Sequence, residues 1–157
     1  MAPARRKLTV VLSILGIAAP AGILLAAASA QELQKARHDH YHELGDAFKT
    51  VRDQTRAGSP NLLKIKAAAR VINEASIDQG RWFPAGTGPE AGKTRALPLI
   101  WQQPEDFKAA QKVFSEAAPQ LLSAADVGDL DALKSTYGDL GKACKNCHET
   151  FRAPEEH

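Results

Sequence analysis

The only two cysteines of the chain stand in the run Cys144-Lys145-Asn146-Cys147-His148, close to the end of the sequence. A Cys-x-x-Cys-His spacing is typical of a site at which haem is attached covalently. On a helix the two thiols lie about one turn apart, so they can form thioethers with the vinyl groups on one edge of a porphyrin. The adjacent imidazole is then placed to serve as an axial iron ligand. The motif predicts one covalent haem c, bound by Cys144 and Cys147, with His148 as the metal ligand.

Two other kinds of site also use paired cysteines. A thioredoxin-like redox pair is expected in a βαβ context, and a structural zinc site needs two further ligands. Neither is evident in this sequence, so haem attachment is the favoured interpretation.

Residues 1–30 have the pattern of a secretory signal peptide. Three cations at positions 5–7 are followed by an apolar stretch over residues 8–28, and Ala28-Ser29-Ala30 is a small-residue cleavage site. The alternative is an uncleaved membrane anchor, because the apolar stretch is long for a signal peptide. Pro20 within the stretch and the cleavage site favour removal. We therefore expect an exported protein with no stable membrane insertion.

Cleavage would leave residues 31–157 as one domain with one core. It would remove three of the 20 Lys and Arg residues and none of the 18 Asp and Glu residues, which leaves 17 cations against 18 anions. Such a balance gives no reason to expect nucleic acid as a partner. The single methionine of the chain is Met1. The mature protein would therefore have no methionine, which excludes the His/Met iron ligation of many electron-transfer cytochromes.

The apolar spacing predicts four amphipathic helices. We expect them over residues 31–56, 60–79, 104–127 and 130–153, with Ser59 as the N-cap of the second and Pro60 in its first turn. Pro119 should kink or split the third helix. The first helix carries a seam of Arg37, Tyr41, Leu44, Phe48 and Val51. The last carries a heptad seam of Leu130, Leu133, Tyr137, Leu140, Cys144, Cys147 and Phe151.

Residues 80–103 are rich in Gly and Pro and predict a long irregular crossover. Connections of this length inside a small domain are usually either functional or disordered. The fold class is therefore all-α, an antiparallel four-helix bundle with one long crossover and a haem bound covalently in the bundle.

Several stretches also resemble the cytochrome c′ family, the class II c-type cytochromes. They are ARHDHYHELGDAFK, FPAGTGPE, KTRALPLIW and SAADVGDLDALKSTYGDLGKACKNCHETFR, and together they span nearly all of residues 31–152. The resemblance implies a periplasmic, usually homodimeric bundle with one covalent haem. Its iron is typically five-coordinate and high-spin, and it binds NO and CO.

The resemblance also implies roles for three residues of the first helix. Arg37 matches an arginine that contacts a haem propionate, and His38 matches a position, commonly Gln, that touches the haem. Tyr41 matches the distal residue. A tyrosine there that does not bind iron would leave a largely apolar pocket suited to small neutral diatomic molecules.

The remaining matches lie in the crossover and in the last helix. Thr94 and Trp101 fall in the crossover stretch that lies against the haem. Arg152 matches a basic residue near the proximal imidazole of His148.

The expected function is that of a periplasmic monohaem cytochrome that binds NO and CO, takes part in electron transfer with periplasmic redox partners, or both. The alternative is a low-spin, bis-His electron carrier, because a modest rotation of the first helix would turn His40 inward. An enzyme, such as a peroxidase, is disfavoured because no distal acid–base pair is evident.

Overall fold

The computed structural model describes residues 21–154. This range contains four long helices and one short one: α1 (Ala21–Arg56), α2 (Leu62–Asp78), α3 (Leu99–Gln102), α4 (Pro104–Val127) and α5 (Leu130–Phe151). Residues 1–20 of the predicted signal peptide lie outside the described residues, and its cleavage stays a prediction. Within residues 21–154, no helix is both long enough and apolar enough to cross a membrane.

The four long helices form the predicted bundle. Helix α1 packs on α2, α2 on α4 and α4 on α5, while α1 meets α5 over a shorter stretch. The core is built from fully buried apolar side chains of all four helices, among them Val51, Ile65, Ile72, Leu121, Leu133 and Leu140. A second, smaller cluster of Ile100, Phe107 and Phe151 lies where the crossover meets the end of α5.

Two predicted helix starts are wrong. Helix α1 already includes Ala21, the first residue that the structure describes, and so extends ten residues before the predicted start at Gln31; the Ala- and Leu-rich residues before Gln31 favour a helix. Helix α2 is capped by Asn61 and not by Ser59: its Oδ1 accepts the Lys64 N–H at 3.0 Å.

The turn between α4 and α5 follows the prediction. Gly128 ends α4 with φ +73°, and Asp129 caps α5 by accepting the N–H groups of Asp131 and Ala132 at 3.0 Å. Pro119 does not split α4, which continues unbroken to Val127.

The crossover is more regular than predicted. It contains two 3₁₀ turns, Gln79–Arg81 and Pro89–Ala91, in addition to α3. Its later part is fastened to the end of α5, where Ala96 and Arg152 form an isolated antiparallel bridge and the Leu97 N–H donates to the Phe151 carbonyl at 3.0 Å. The crossover therefore lies across the end of the bundle that carries the cysteines.

Candidate haem site

Cys144 and Cys147 lie on the face of α5 that turns into the bundle. Both are half-buried free thiols; Cys144 packs against the main core and Cys147 against the smaller cluster. Burial, with a smaller contribution from Cys147, raises the pKa of the Cys144 thiol to about 11, and burial also raises that of Cys147. At neutral pH both are neutral thiols on one helix face, as the motif predicts.

His148 follows on the exposed edge of the same face. Partial burial lowers the pKa of its imidazole, and the positive charges of Arg152 and Arg95 lower it further. The neutral imidazole is the form that binds a metal ion. The Arg152 backbone N–H donates to the His148 carbonyl at 3.1 Å, so the two residues lie one turn apart at the end of α5.

Sequence reasoning missed Arg95, which also lies near His148. Its Nε and Nη2 donate to the Ala153 carbonyl at 2.9 and 2.7 Å, and its own carbonyl accepts the Ala153 N–H at 2.8 Å. Arg95 therefore brings a second cation to the end of α5. The one available signal was its place beside Thr94 in the stretch KTRALPLIW.

Tyr41 extends from α1 toward the cysteines of α5. Burial raises the pKa of its phenol far above the usual range; Cys147 and Cys144 raise it further, while Arg37 opposes them. The ring packs edge-on against Trp82, with ring centroids 5.0 Å apart. Tyr41 is thus a residue of α1 on which both thiols act electrostatically; its distal role stays a prediction.

Arg37 lies one turn before Tyr41 and is only 4% exposed. Its Nη1 donates to the Trp82 carbonyl at 3.3 Å and to Thr87 Oγ1 at 3.1 Å. Its Nη2 donates to the Thr87 carbonyl at 2.9 Å and to Thr94 Oγ1 at 3.2 Å. Burial lowers the pKa of this guanidinium, but arginine stays protonated in proteins. Arg37 is therefore a buried cation, and all four of these acceptors are uncharged.

The crossover supplies the rings and hydroxyls around Arg37. The Arg37 Cζ lies 4.8 Å from the centroid of Phe83 and 5.8 Å from that of Trp101. Trp101 Nε1 donates to the carbonyls of Phe83 and Pro84 at 3.2 and 3.1 Å. The structure thus brings Thr94 and Trp101 together around Arg37. Sequence reasoning did not identify Thr87, which lies in the quoted stretch FPAGTGPE.

The three histidines of α1 at positions 38, 40 and 42 are exposed. His40 is exposed and stacks on Trp82, with centroids 4.8 Å apart and an interplanar angle of 19°. His38 is exposed and contacts Asp39 and His42. These contacts do not bring His38 toward the thiols. They therefore do not support a contact between His38 and the haem, which stays a prediction.

The residues present fit a covalent haem. Two neutral thiols and an imidazole occupy adjacent positions of one helix face, which is the donor set that the group requires. A buried cation with uncharged acceptors also suits an anionic group such as a propionate, because a buried charge is costly without an opposite charge. When bound, the haem would supply an iron atom with a one-electron couple and a position for a small ligand.

Comparison with known proteins agrees with this site. The family model described as Cytochrome C′ matches residues 32–152. The cytochrome c′ of Allochromatium vinosum is 34% identical over 145 residues, which covers 90% of this chain and 92% of that protein.

Solved structures agree as well. A cytochrome c′ described as having an unusual ligand-controlled dimer dissociation superposes with a TM-score of 0.73 at 31% identity, covering 80% of this chain and 97% of that one. A nitric oxide complex of a mutant cytochrome c prime from Alcaligenes xylosoxidans gives a TM-score of 0.72 at 29% identity, with the same coverage. The chain belongs to the cytochrome c′ family and carries the covalent haem c site of that family.

Proposed function

We propose that this chain is a periplasmic monohaem cytochrome with a five-coordinate, high-spin haem that binds NO and CO, takes part in electron transfer, or both. The position of Tyr41 carries this proposal. Its half-buried side chain lies within electrostatic range of the thiols of α5, while His40 stacks on Trp82. A tyrosine in this place would line the haem pocket and, as a neutral phenol, would not ligate iron.

The same arrangement favours small neutral ligands. Burial keeps Tyr41 protonated, and the rings of Trp82 and Phe83 lie beside it at 5.0 and 6.1 Å between centroids. An apolar pocket penalises anions and water, which lose hydrogen bonds on entry. The nitric oxide complex of the Alcaligenes relative supports this assignment by similarity.

His148 would bind the haem iron, with Arg152 one turn after it at the end of α5. A haem propionate would pair with the positive charge of Arg37. Thr94 Oγ1 accepts a hydrogen bond from Arg37 Nη2. Trp101 Nε1 donates to the carbonyls of Phe83 and Pro84 and so fixes the backbone beside Arg37. We keep the expectation that the chain is not an enzyme, which is supported by its membership of the cytochrome c′ family.

The proposal also includes export to the periplasm and the formation of a homodimer. The N-terminal signal pattern and the family support a periplasmic location. A groove between α1 and α2 has an apolar floor of Ala47, Ala67, Ala68 and Val71, and the dimeric relative supports pairing of two chains.

The test is the ferric electron paramagnetic resonance and optical spectrum of the purified haem-loaded protein, followed by titration of the ferrous protein with NO. We expect a high-spin ferric signal and saturable NO binding, and a mass increase of one haem per chain in the mass spectrum. The variant His40→Gln should give the same spectrum as the wild type.

A low-spin wild type that becomes high-spin in His40→Gln would overturn the proposal and establish the bis-His alternative. A chain exported and matured without covalent haem would remove its basis altogether.

A further inference from the structure

Two exposed histidines of α1 lie against each other. His38 and His42 are four residues apart, so they share one face of the helix. Their ring centroids are 4.9 Å apart with an interplanar angle of 48°. Both residues are exposed, and the side chain of His38 is 70% accessible. Neither imidazole is fixed in the core, so both can reorient toward a shared ligand.

We propose that His38 and His42 chelate one divalent cation of the Zn²⁺, Ni²⁺ or Cu²⁺ class. Imidazole nitrogen is a preferred ligand of these ions. Two histidines at i and i+4 on one helix face are also the pair that binds zinc in the H-E-x-x-H motif. Bonds of about 2.0–2.1 Å bring the two nitrogens to about 3 Å from each other. Exposed side chains can reach this separation by changing rotamer, with no movement of the helix backbone.

Asp39 adds negative charge beside the pair. Its Oδ1 lies 3.5 Å from His38 Nδ1, while its other oxygen pairs with Lys35. A carboxylate next to a ligating imidazole orients the ring and makes it a better donor. The described part of the chain contains no group of three His, Cys, Asp or Glu side chains suited to a metal ion. The site therefore supplies two protein ligands, and water completes the coordination.

With only two protein ligands, the site would select among metal ions by the chemical softness of its ligands and not by the geometry of a complete coordination shell. Nitrogen sites follow the Irving–Williams order, so Cu²⁺ should bind more tightly than Ni²⁺ or Zn²⁺. Mg²⁺ and Ca²⁺ prefer oxygen ligands and should not compete.

The site adjoins the haem pocket along the helix. His38 follows Arg37 and His42 follows Tyr41, so a chelated ion would link the two ends of the turn that carries both pocket residues. An ion that binds the folded chain and not the unfolded chain would stabilise the folded protein by mass action.

The experiment is isothermal titration calorimetry of the untagged haem-loaded protein with Cu²⁺, and separately with Zn²⁺, in a non-chelating buffer. We expect one ion per chain, at least a tenfold loss of affinity in His38→Gln and in His42→Gln, and no response to Mg²⁺. The matched control is His40→Gln, because His40 lies between the two but stacks on Trp82; it should bind as the wild type does. The thermal midpoint should rise with Zn²⁺ in the wild type and not in His38→Gln/His42→Gln.

Wild-type affinity in both single variants, or loss of binding in His40→Gln, would overturn the assignment, as would a wild type that binds no Cu²⁺. All three substitutions are at exposed positions, and circular dichroism would verify that each variant is folded. The result does not depend on the spin state of the haem, so it stands or falls separately from the proposed function.

Discussion

Arg37 of α1 holds Thr87, 50 residues further along the chain, through two hydrogen bonds: Nη1 to Oγ1 at 3.1 Å and Nη2 to the carbonyl at 2.9 Å. The two residues are 4% and 1% exposed. Gln34 Nε2 reaches the same carbonyl at 3.2 Å and that of Gly88 at 2.6 Å. These bonds fasten the middle of the crossover to α1, and thereby position it next to Tyr41.

Replacing Arg37 should therefore destabilise the whole protein. Arg37→Ala removes the four hydrogen bonds and leaves the buried Thr87 carbonyl short of a donor. We expect a loss of about 2–3 kcal/mol in the free energy of unfolding, measured by guanidinium denaturation. Arg70→Ala is the control, because Arg70 is an exposed arginine of α2; its effect should stay within about 0.5 kcal/mol. Equal losses in the two variants would contradict a structural role for the Arg37 contacts.

The bundle could be predicted from the sequence because apolar spacing reports directly on which helix face is buried. The predicted seam from Leu130 to Phe151 shows this, because all of its members are buried or half-buried in the structure. The attachment motif likewise needed only local spacing, since Cys144, Cys147 and His148 lie within one and a half turns.

The contacts of Arg37 could not be predicted in the same way. They join α1 to positions 45 to 57 residues away in a crossover without periodicity, so no local pattern encodes them. The prediction for the start of α2 was wrong for a different reason. Ser59 and Asn61 are both good N-caps, so the local pattern does not decide between them; in the structure Asn61 has the further contact that its N–H donates to Gln54 Oε1 at 2.9 Å.

Two glycines should respond to alanine in opposite directions. Gly128 has φ +73°, and an added Cβ would lie 3.2 Å from Leu62 Cδ1. Gly128→Ala should therefore cost about 1–2 kcal/mol, because an L-residue is strained in the left-handed region. Gly138 lies inside α5 with open space around its Cα, so Gly138→Ala should stabilise the protein by up to about 1 kcal/mol. Thermal unfolding of the two variants provides the test, and a shift of the same sign in both would be inconsistent with it.

Tyr41 should make the folded protein sensitive to alkaline pH. Burial raises its pKa in the folded state, whereas the unfolded chain ionises near pH 10. Above that pH the unfolded state binds fewer protons than the folded state, so stability falls as the pH rises toward the folded pKa. Tyr41→Phe removes this loss. Between pH 10 and 11.5 the free energy of unfolding of the wild type should fall more steeply than that of Tyr41→Phe, and the extra slope should rise from about 0.7 kcal/mol per pH unit at pH 10 to about 1.4 kcal/mol per pH unit near pH 11.5. Parallel pH profiles would show that the phenol is not buried in the folded protein.

Arg95 should influence the haem through His148. Its guanidinium is bound to the Ala153 carbonyl by Nε and Nη2 and acts electrostatically on the His148 imidazole. Reduction of the haem adds an electron, and a nearby cation stabilises the reduced form. Arg95→Gln should therefore lower the reduction midpoint potential, and it should lower the free energy of unfolding by about 1 kcal/mol because two hydrogen bonds are lost.

Two further variants separate charge from anchoring. Arg95→Lys keeps the charge but cannot make both bonds to Ala153, so its midpoint potential should stay close to the wild-type value while part of the stability is lost. Lys93→Gln removes an exposed cation of the same crossover that is not among the charges acting on His148, and it should leave the potential unchanged. The test is potentiometric titration of the three variants. The same shift of the midpoint potential in Lys93→Gln as in Arg95→Gln would mean that only the net charge of the protein affects the potential. A shift confined to Arg95→Gln would mean that the charge of Arg95 acts on the haem through His148.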